Sequence, residues 1–143
     1  MKIVAKTDVG MVRESNQDSY TTGELPNGVA WAVVCDGMGG AAGGNVASST
    51  AVKVIAEQIT SSFRPGMSAN SIKNMMVSAI NAANISVYDI SCSNSELYGM
   101  GTTVVCAIVM EHIAYIAHAG DSRAYIVSHG ALTQLTRDHS VVQ

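Results

Sequence analysis

Apolar residues along this chain fall into two kinds of pattern, short dense runs that read as strands and long spaced stripes that read as helices. Lys2 to Val9 alternates polar and apolar residues and predicts a first strand. Gly10 to Gln17 predicts a loop, and Asp18 to Thr21 a short second strand. Leu25-Pro26-Asn27-Gly28 supplies a hairpin turn before Val29 to Cys35, an apolar run that predicts a buried central strand. That run ends abruptly in Asp36 and the glycine cluster Gly37-Met38-Gly39-Gly40. A helix is predicted from near Asn45, which can cap it, with Ala47, Ala51, Val54, Ile55 and Ile59 at helical spacing. Phe63-Arg64-Pro65-Gly66 breaks it.

The clearest periodic signal is a second helix. Ile72, Met76, Ala79, Ile80, Ala83, Val87 and Ile90 form one stripe, entered through Ser68 or Asn70. Ser91 to Gly101 predicts a polar loop, and strands are predicted at Thr102 to Met110, His112 to His118 and Arg123 to Val127. Tight turns fall at Glu111 and at Ser128-His129-Gly130. Strands, then two helices, then strands point to segregated α+β layers in a single domain over residues 1–143, and not to alternating βαβ units.

Composition narrows the function classes. Apolar residues make up 48% and charged residues 13%, which suits a packed globular chain. The formal charge is −3 and the 8 Lys and Arg are scattered, so there is no electrostatic case for nucleic acid or an anionic membrane. No apolar stretch approaches the roughly 20 residues of a membrane span, and a cytoplasmic setting is expected. Cys35, Cys92 and Cys106 lack CxxC spacing; Cys35 and Cys106 lie in apolar runs and read as buried thiols. Met75 and Met76 read as core filler, and His112, His118, His129 and His139 lack the spacing of a zinc site.

Candidate chemistry gathers on three acids. Asp36 with Gly37 can offer carboxylate and carbonyl oxygens to a hard divalent ion, and Asp18 and Asp121 also adjoin apolar runs. Taken alone, Asp36-Gly37 equally suits a capping or turn aspartate. Asp121 suits either a third metal-facing carboxylate or a turn residue tied to Arg123. Arg13 can hold two oxygens of a phosphate monoester, or sit in an exposed loop beside Glu14, while Gln17 and Asp18 can bond metal-bound waters. A rival reading is a loose dinucleotide fingerprint, Gly37-x-Gly39-x-x-Ala42, but a second long helix stands where a parallel strand is needed, and Glu57, at the spacing of a ribose-binding acid, falls inside the predicted helix.

Five motifs then stand in order: Gly10-x-Val12-Arg13-x-x-Asn16-Gln17-Asp18, Val34-Cys35-Asp36-Gly37-Met38-Gly39-Gly40, Gly99-Met100-Gly101-Thr102-Thr103, Gly120-Asp121-Ser122-Arg123-Ala124-Tyr125 and Leu135-Thr136-x-Asp138-His139-Ser140. Together they resemble the bacterial PP2C-type (PPM) protein phosphatases across most of the chain from Gly10 to Ser140. The resemblance implies an α-β-β-α sandwich of two antiparallel sheets, here incomplete at its C-terminal side. It implies hydrolysis of phosphoserine and phosphothreonine in kinase-modified proteins by a water activated at a binuclear Mn²⁺ or Mg²⁺ site, with a third ion in some members. Asp36 would bridge two ions, Gly37 would add its carbonyl, Asp18 would act through bound water, Arg13 would hold the phosphate and Asp121 would face the accessory ion. Ala41 stands where the family usually has histidine, and Asn45 where glutamate is common. The later family aspartates are absent from these 143 residues, so weak metal binding and weak or no activity are expected. An open apolar sheet face is expected too, hidden by dimerisation or strand exchange, with a non-catalytic PP2C-like binding module as the alternative.

Overall fold

Register along one antiparallel sheet organises the molecule. The computed structural model describes residues 1–140, apart from the side chain of residue 41. Its elements are β1 (Asp18–Leu25), β2 (Val29–Met38), α1 (Gly40–Ser62), α2 (Ala69–Ser93), β3 (Gly101–Thr102), β4 (Val104–Met110), β5 (Ile113–Ala119), β6 (Tyr125–Ser128) and β7 (Ala131–Gln134). Strands β1, β2, β4 and β5 lie side by side in that order, β3 pairs with the end of β2, and every pairing is antiparallel. β6 and β7 form a separate hairpin closed by His129 and Gly130, both at positive φ, as a two-residue hairpin loop requires.

One face of the sheet carries both helices. Val29, Trp31, Val33 and Cys35 of β2 and Val104, Cys106 and Ile108 of β4 alternate toward them. α1 answers with Ala47, Ala51, Ile55 and Ile59, and α2 with Ile72, Met76, Ala79, Ala83 and Val87. Met75 is buried in the same core. Each large side chain so buried contributes about 1.5–3 kcal/mol of transfer free energy. Ser68 caps α2, its hydroxyl accepting from the Ser71 N–H at 3.2 Å. The opposite face, with Tyr20, Val34 and Val105 in one cross-strand row, carries no helix, and Tyr20 and Val34 are exposed.

Several sequence expectations need correction. Lys2 to Val9 is exposed and forms no strand; residues 3–8 line a cleft with Tyr20, Thr22, Ala32 and Val34 without pairing to them. Alternation alone cannot supply a partner strand. β2 continues to Met38, so Asp36 lies inside the strand and not past its end. α1 starts at Gly40, five residues before Asn45, with no side-chain cap. α2 runs on to Ser93, the strand expected from Thr102 breaks at Thr103, and β7 went unpredicted because its four exposed residues show no apolar run. As the sequence indicates against the dinucleotide reading, α2 follows α1 directly and Glu57 lies within α1; among the described residues every strand pair is antiparallel.

Candidate active site

The β1–β2 register sets Asp18 directly opposite Asp36. Cross-strand partners share a face of the sheet, so the two carboxylates stand together on the side away from the helices. The Asp36 backbone is fixed at both polar atoms by one buried residue. Its N–H donates to Thr103 Oγ1 at 3.0 Å, and its carbonyl accepts from the Thr103 N–H at 2.9 Å. Thr103 Oγ1 is also 2.6 Å from Ser122 Oγ, which ties the Asp121 turn to the same point. Thr103 is a site-building residue that sequence reasoning passed over; its place in the Gly-Met-Gly-Thr-Thr motif was the available signal.

Close backbone approach explains the glycines. A Cβ on Gly37 would overlap the Gly44 carbonyl, so only glycine lets the end of β2 lie against the first turn of α1. Gly39 has φ +133, and a Cβ there would come within 2.7 Å of Met100 Cα. The loop before β1 is bound into this junction. Gly37 N–H donates to the Gln17 carbonyl at 3.1 Å, and the Gln17 side-chain amide donates to the Gly40 carbonyl. Gln17 is therefore a tie between loop and helix through its side-chain amide N–H and its backbone carbonyl. Ser48, fully buried on α1, donates to the Gln17 carbonyl at 2.7 Å and lies 2.9 Å from Ser19 Oγ.

Arg13 joins the acids in one cleft of about 250 Å³, lined also by Asp8, Asn16, Asp18, Asp36 and Gly37. The adjoining cleft of about 640 Å³ runs from Arg13 past Asp36 to Gly40, where the positive end of α1 opens. Asp36 reaches solvent, yet the surrounding atoms strip enough water to push its carboxyl above the ordinary aspartate range. The charge of Asp18, a proton-sharing contact with Asp18 and the charge of Asp121 push the same way, and Arg13 pulls it back. Arg13 forms no ion pair with Glu14; among the described residues the one ion pair is Arg123–Asp138, so Asp121 is not tied to Arg123.

These carboxylates repel one another and lack a neutralising lysine in the cleft, a donor set that fits a hard divalent cation. Among the described residues no three His, Cys, Asp or Glu side chains gather tightly enough to hold an ion by themselves. The structure thus brings Arg13, Asp18, Asp36 and Gly37 together and sets Asp121 near enough to act on Asp36 through its charge.

The family described as protein phosphatase 2C matches residues 12–141. Over 137 residues the chain is 36% identical to the serine/threonine phosphatase stp of Listeria monocytogenes, covering 96% of this chain and 54% of that protein. The serine/threonine phosphatase of S. agalactiae superposes with a TM-score of 0.86 at 33% identity, over 96% of this chain and 55% of the other. The catalytic domain of the serine/threonine protein phosphatase PstP, solved in complex with two manganese ions, superposes with a TM-score of 0.78 at 31% identity, over 96% and 55%. The chain spans about half the length of these relatives. With the family matched over residues 12–141 and the fold shared with these solved phosphatases, the chain belongs to the protein phosphatase 2C family.

Proposed function

We propose that this chain carries the cation- and phosphate-binding half of a site that hydrolyses phosphoserine and phosphothreonine in proteins. The observation that carries the reading is the Asp18–Asp36 pair, set opposite each other by strand register and sharing a cleft with Arg13. Asp36, Asp18 and the Gly37 carbonyl would hold two divalent cations, Mn²⁺ or Mg²⁺, with Asp121 facing a third. When bound, such ions acidify a water so that it can act as nucleophile near neutral pH and offset the charge of the phosphate. Arg13 grips two phosphate oxygens with its planar fork and turns the phosphorus toward the acids. The open end of α1 adds backbone N–H groups and a positive dipole beside the same oxygens. In the overall reaction water oxygen bonds to phosphorus, the bond to the seryl or threonyl oxygen breaks, and that oxygen takes up a proton. Position 41 is alanine, so no imidazole is available there to supply that proton.

A second reading is favoured by one feature. The cleft holds too few clustered ligands to fix an ion without water or further groups, which suits a non-catalytic binding module. Hydrolysis of p-nitrophenyl phosphate separates the two, because its phenolate leaves without an acid. Activity that needs Mn²⁺ and disappears in Asp36→Ala supports the phosphatase. A folded, Mn²⁺-binding chain with no turnover supports the module.

A further inference from the structure

The turn that carries Asp121 lies outside every strand, and a returning segment holds it. After β5 the chain passes through Gly120, at φ +104, where a Cβ would come within 2.8 Å of the Thr103 methyl. Past β7 it comes back along this turn. Leu135 N–H donates to the Ala124 carbonyl at 2.8 Å, and Ala124 N–H donates to Thr136 Oγ1 at 3.1 Å. His139 then brackets Gly120: its N–H donates to the Gly120 carbonyl at 2.9 Å, and its Nδ1 accepts from the Gly120 N–H at 3.4 Å. The imidazole leans on His118 with ring centroids 4.6 Å apart. Between these points the Arg123 guanidinium grips both carboxylate oxygens of Asp138 at 2.7–3.2 Å.

We propose that Leu135–His139 is a clasp that sets the direction of Asp121, with His139 and Asp138 as positioning residues for the outer edge of the site. The proposal rests on the reading of Asp121 as a cation-facing carboxylate. Glycine is the freest residue in the chain, and Gly120 immediately precedes Asp121. Pinning its N–H and its carbonyl from one residue removes that freedom where it would blur the aim of the carboxylate. The Arg123–Asp138 pair is solvent-exposed and adds little energy, but a fork held by three contacts fixes orientation.

The test uses the parent chain with His139→Ala, His139→Asn, Asp138→Asn and Asp121→Asn. Amide hydrogen exchange is measured without metal, and Mn²⁺ uptake by calorimetry. His139→Ala removes the Nδ1 acceptor and leaves the backbone bond to the Gly120 carbonyl, so it should speed exchange at the Gly120 N–H about tenfold while β2 and β4 stay protected. His139→Asn, whose side-chain oxygen can replace Nδ1 as acceptor, should restore most of the protection. The binding event lost in Asp121→Asn should weaken about 10- to 100-fold in His139→Ala, and less in Asp138→Asn, with binding at Asp36 unchanged. Unchanged exchange in His139→Ala overturns the clasp, and faster exchange with unchanged Mn²⁺ affinity overturns its positioning role. A parent chain that takes up no Mn²⁺ refutes the cation reading of Asp121, and the exchange rates then decide the clasp alone.

Discussion

Replacing Asp36 by asparagine keeps the side chain's shape and removes its charge, which lets two opposing consequences be read separately. Without metal, Asp36 faces Asp18 across the β1–β2 ladder and also feels Asp121, with Arg13 alone pulling the other way. Like charges directly opposite on a sheet cost about 0.2–1 kcal/mol. Because Asp36 is open to solvent, the gain from Asp36→Asn should lie within that range, a rise of about 1–4 °C in Tm. The pH dependence has a definite sign. The folded carboxyl titrates above its unfolded value, so its contribution is complete below the ordinary aspartate range and is lost as pH rises through the folded value. Thermal melts in chelator should therefore show parent and variant alike in acid and the variant ahead at neutral pH. Adding Mn²⁺ should reverse the order, because ligand stabilises only the chain that binds it. A variant that melts below the parent at neutral pH in chelator would refute the reasoning, since Asp36 would then be a structural hydrogen-bond acceptor and not a repelled charge.

Two further outcomes are expected. Burial pushes the thiols of Cys35 and Cys106 up to about 12, so in a native thiol titration near pH 8 only exposed Cys92 should react, and all three after denaturation; more than one fast native thiol would mean that the helix face of the sheet opens readily. Ser48→Ala removes the donor to the Gln17 carbonyl and the contact with Ser19, and should lower stability by about 1–2 kcal/mol in urea unfolding; a shift under about 0.3 kcal/mol would show that neither bond survives in solution.

The helix stripes and the β2 run were legible because burial follows period. Ala47, Ala51, Ile55 and Ile59, and then Ile72, Met76, Ala79, Ala83 and Val87, are buried as their spacing predicts. The start of α1 was not legible. Glycine is a poor helix former, so Gly40, Gly43 and Gly44 read as loop, whereas Gly43 and Gly44 are small because Met100 and Gln17 press against that first turn, and Gly40 stands in open space at φ +75. Tertiary contact overrides propensity at the point where the cleft forms. Motif order grouped Arg13, Asp18, Asp36 and Gly37, which line one cleft, but no local pattern reveals that Asp18 and Asp36 are cross-strand partners, which depends on register. The same limit hid the Arg123–Asp138 pair, whose partners are separated by the β6–β7 hairpin.

The buried polar residues explain how an exposed cluster of like charges is kept in place. Four are found among the described residues: Ser48, Ser91, Thr103 and Thr136. Ser48 holds the Gln17 carbonyl next to Asp18, Thr103 holds Asp36 itself, and Thr136 holds Ala124 beyond Asp121. Ser91 bonds Leu97 and Gly99, steadying the loop that brings Met100 beneath Gly39. All four are neutral hydroxyls, which can be buried at modest cost once hydrogen-bonded and which bring no counter-charge. A lysine or arginine in any of these places would have pinned the same segments while neutralising the acids. With hydroxyls the backbone is fixed and no counter-charge is brought in, and Asp18 and Asp36 line a cleft that they share with Arg13. That arrangement suits a site whose missing positive charge is supplied by what it binds.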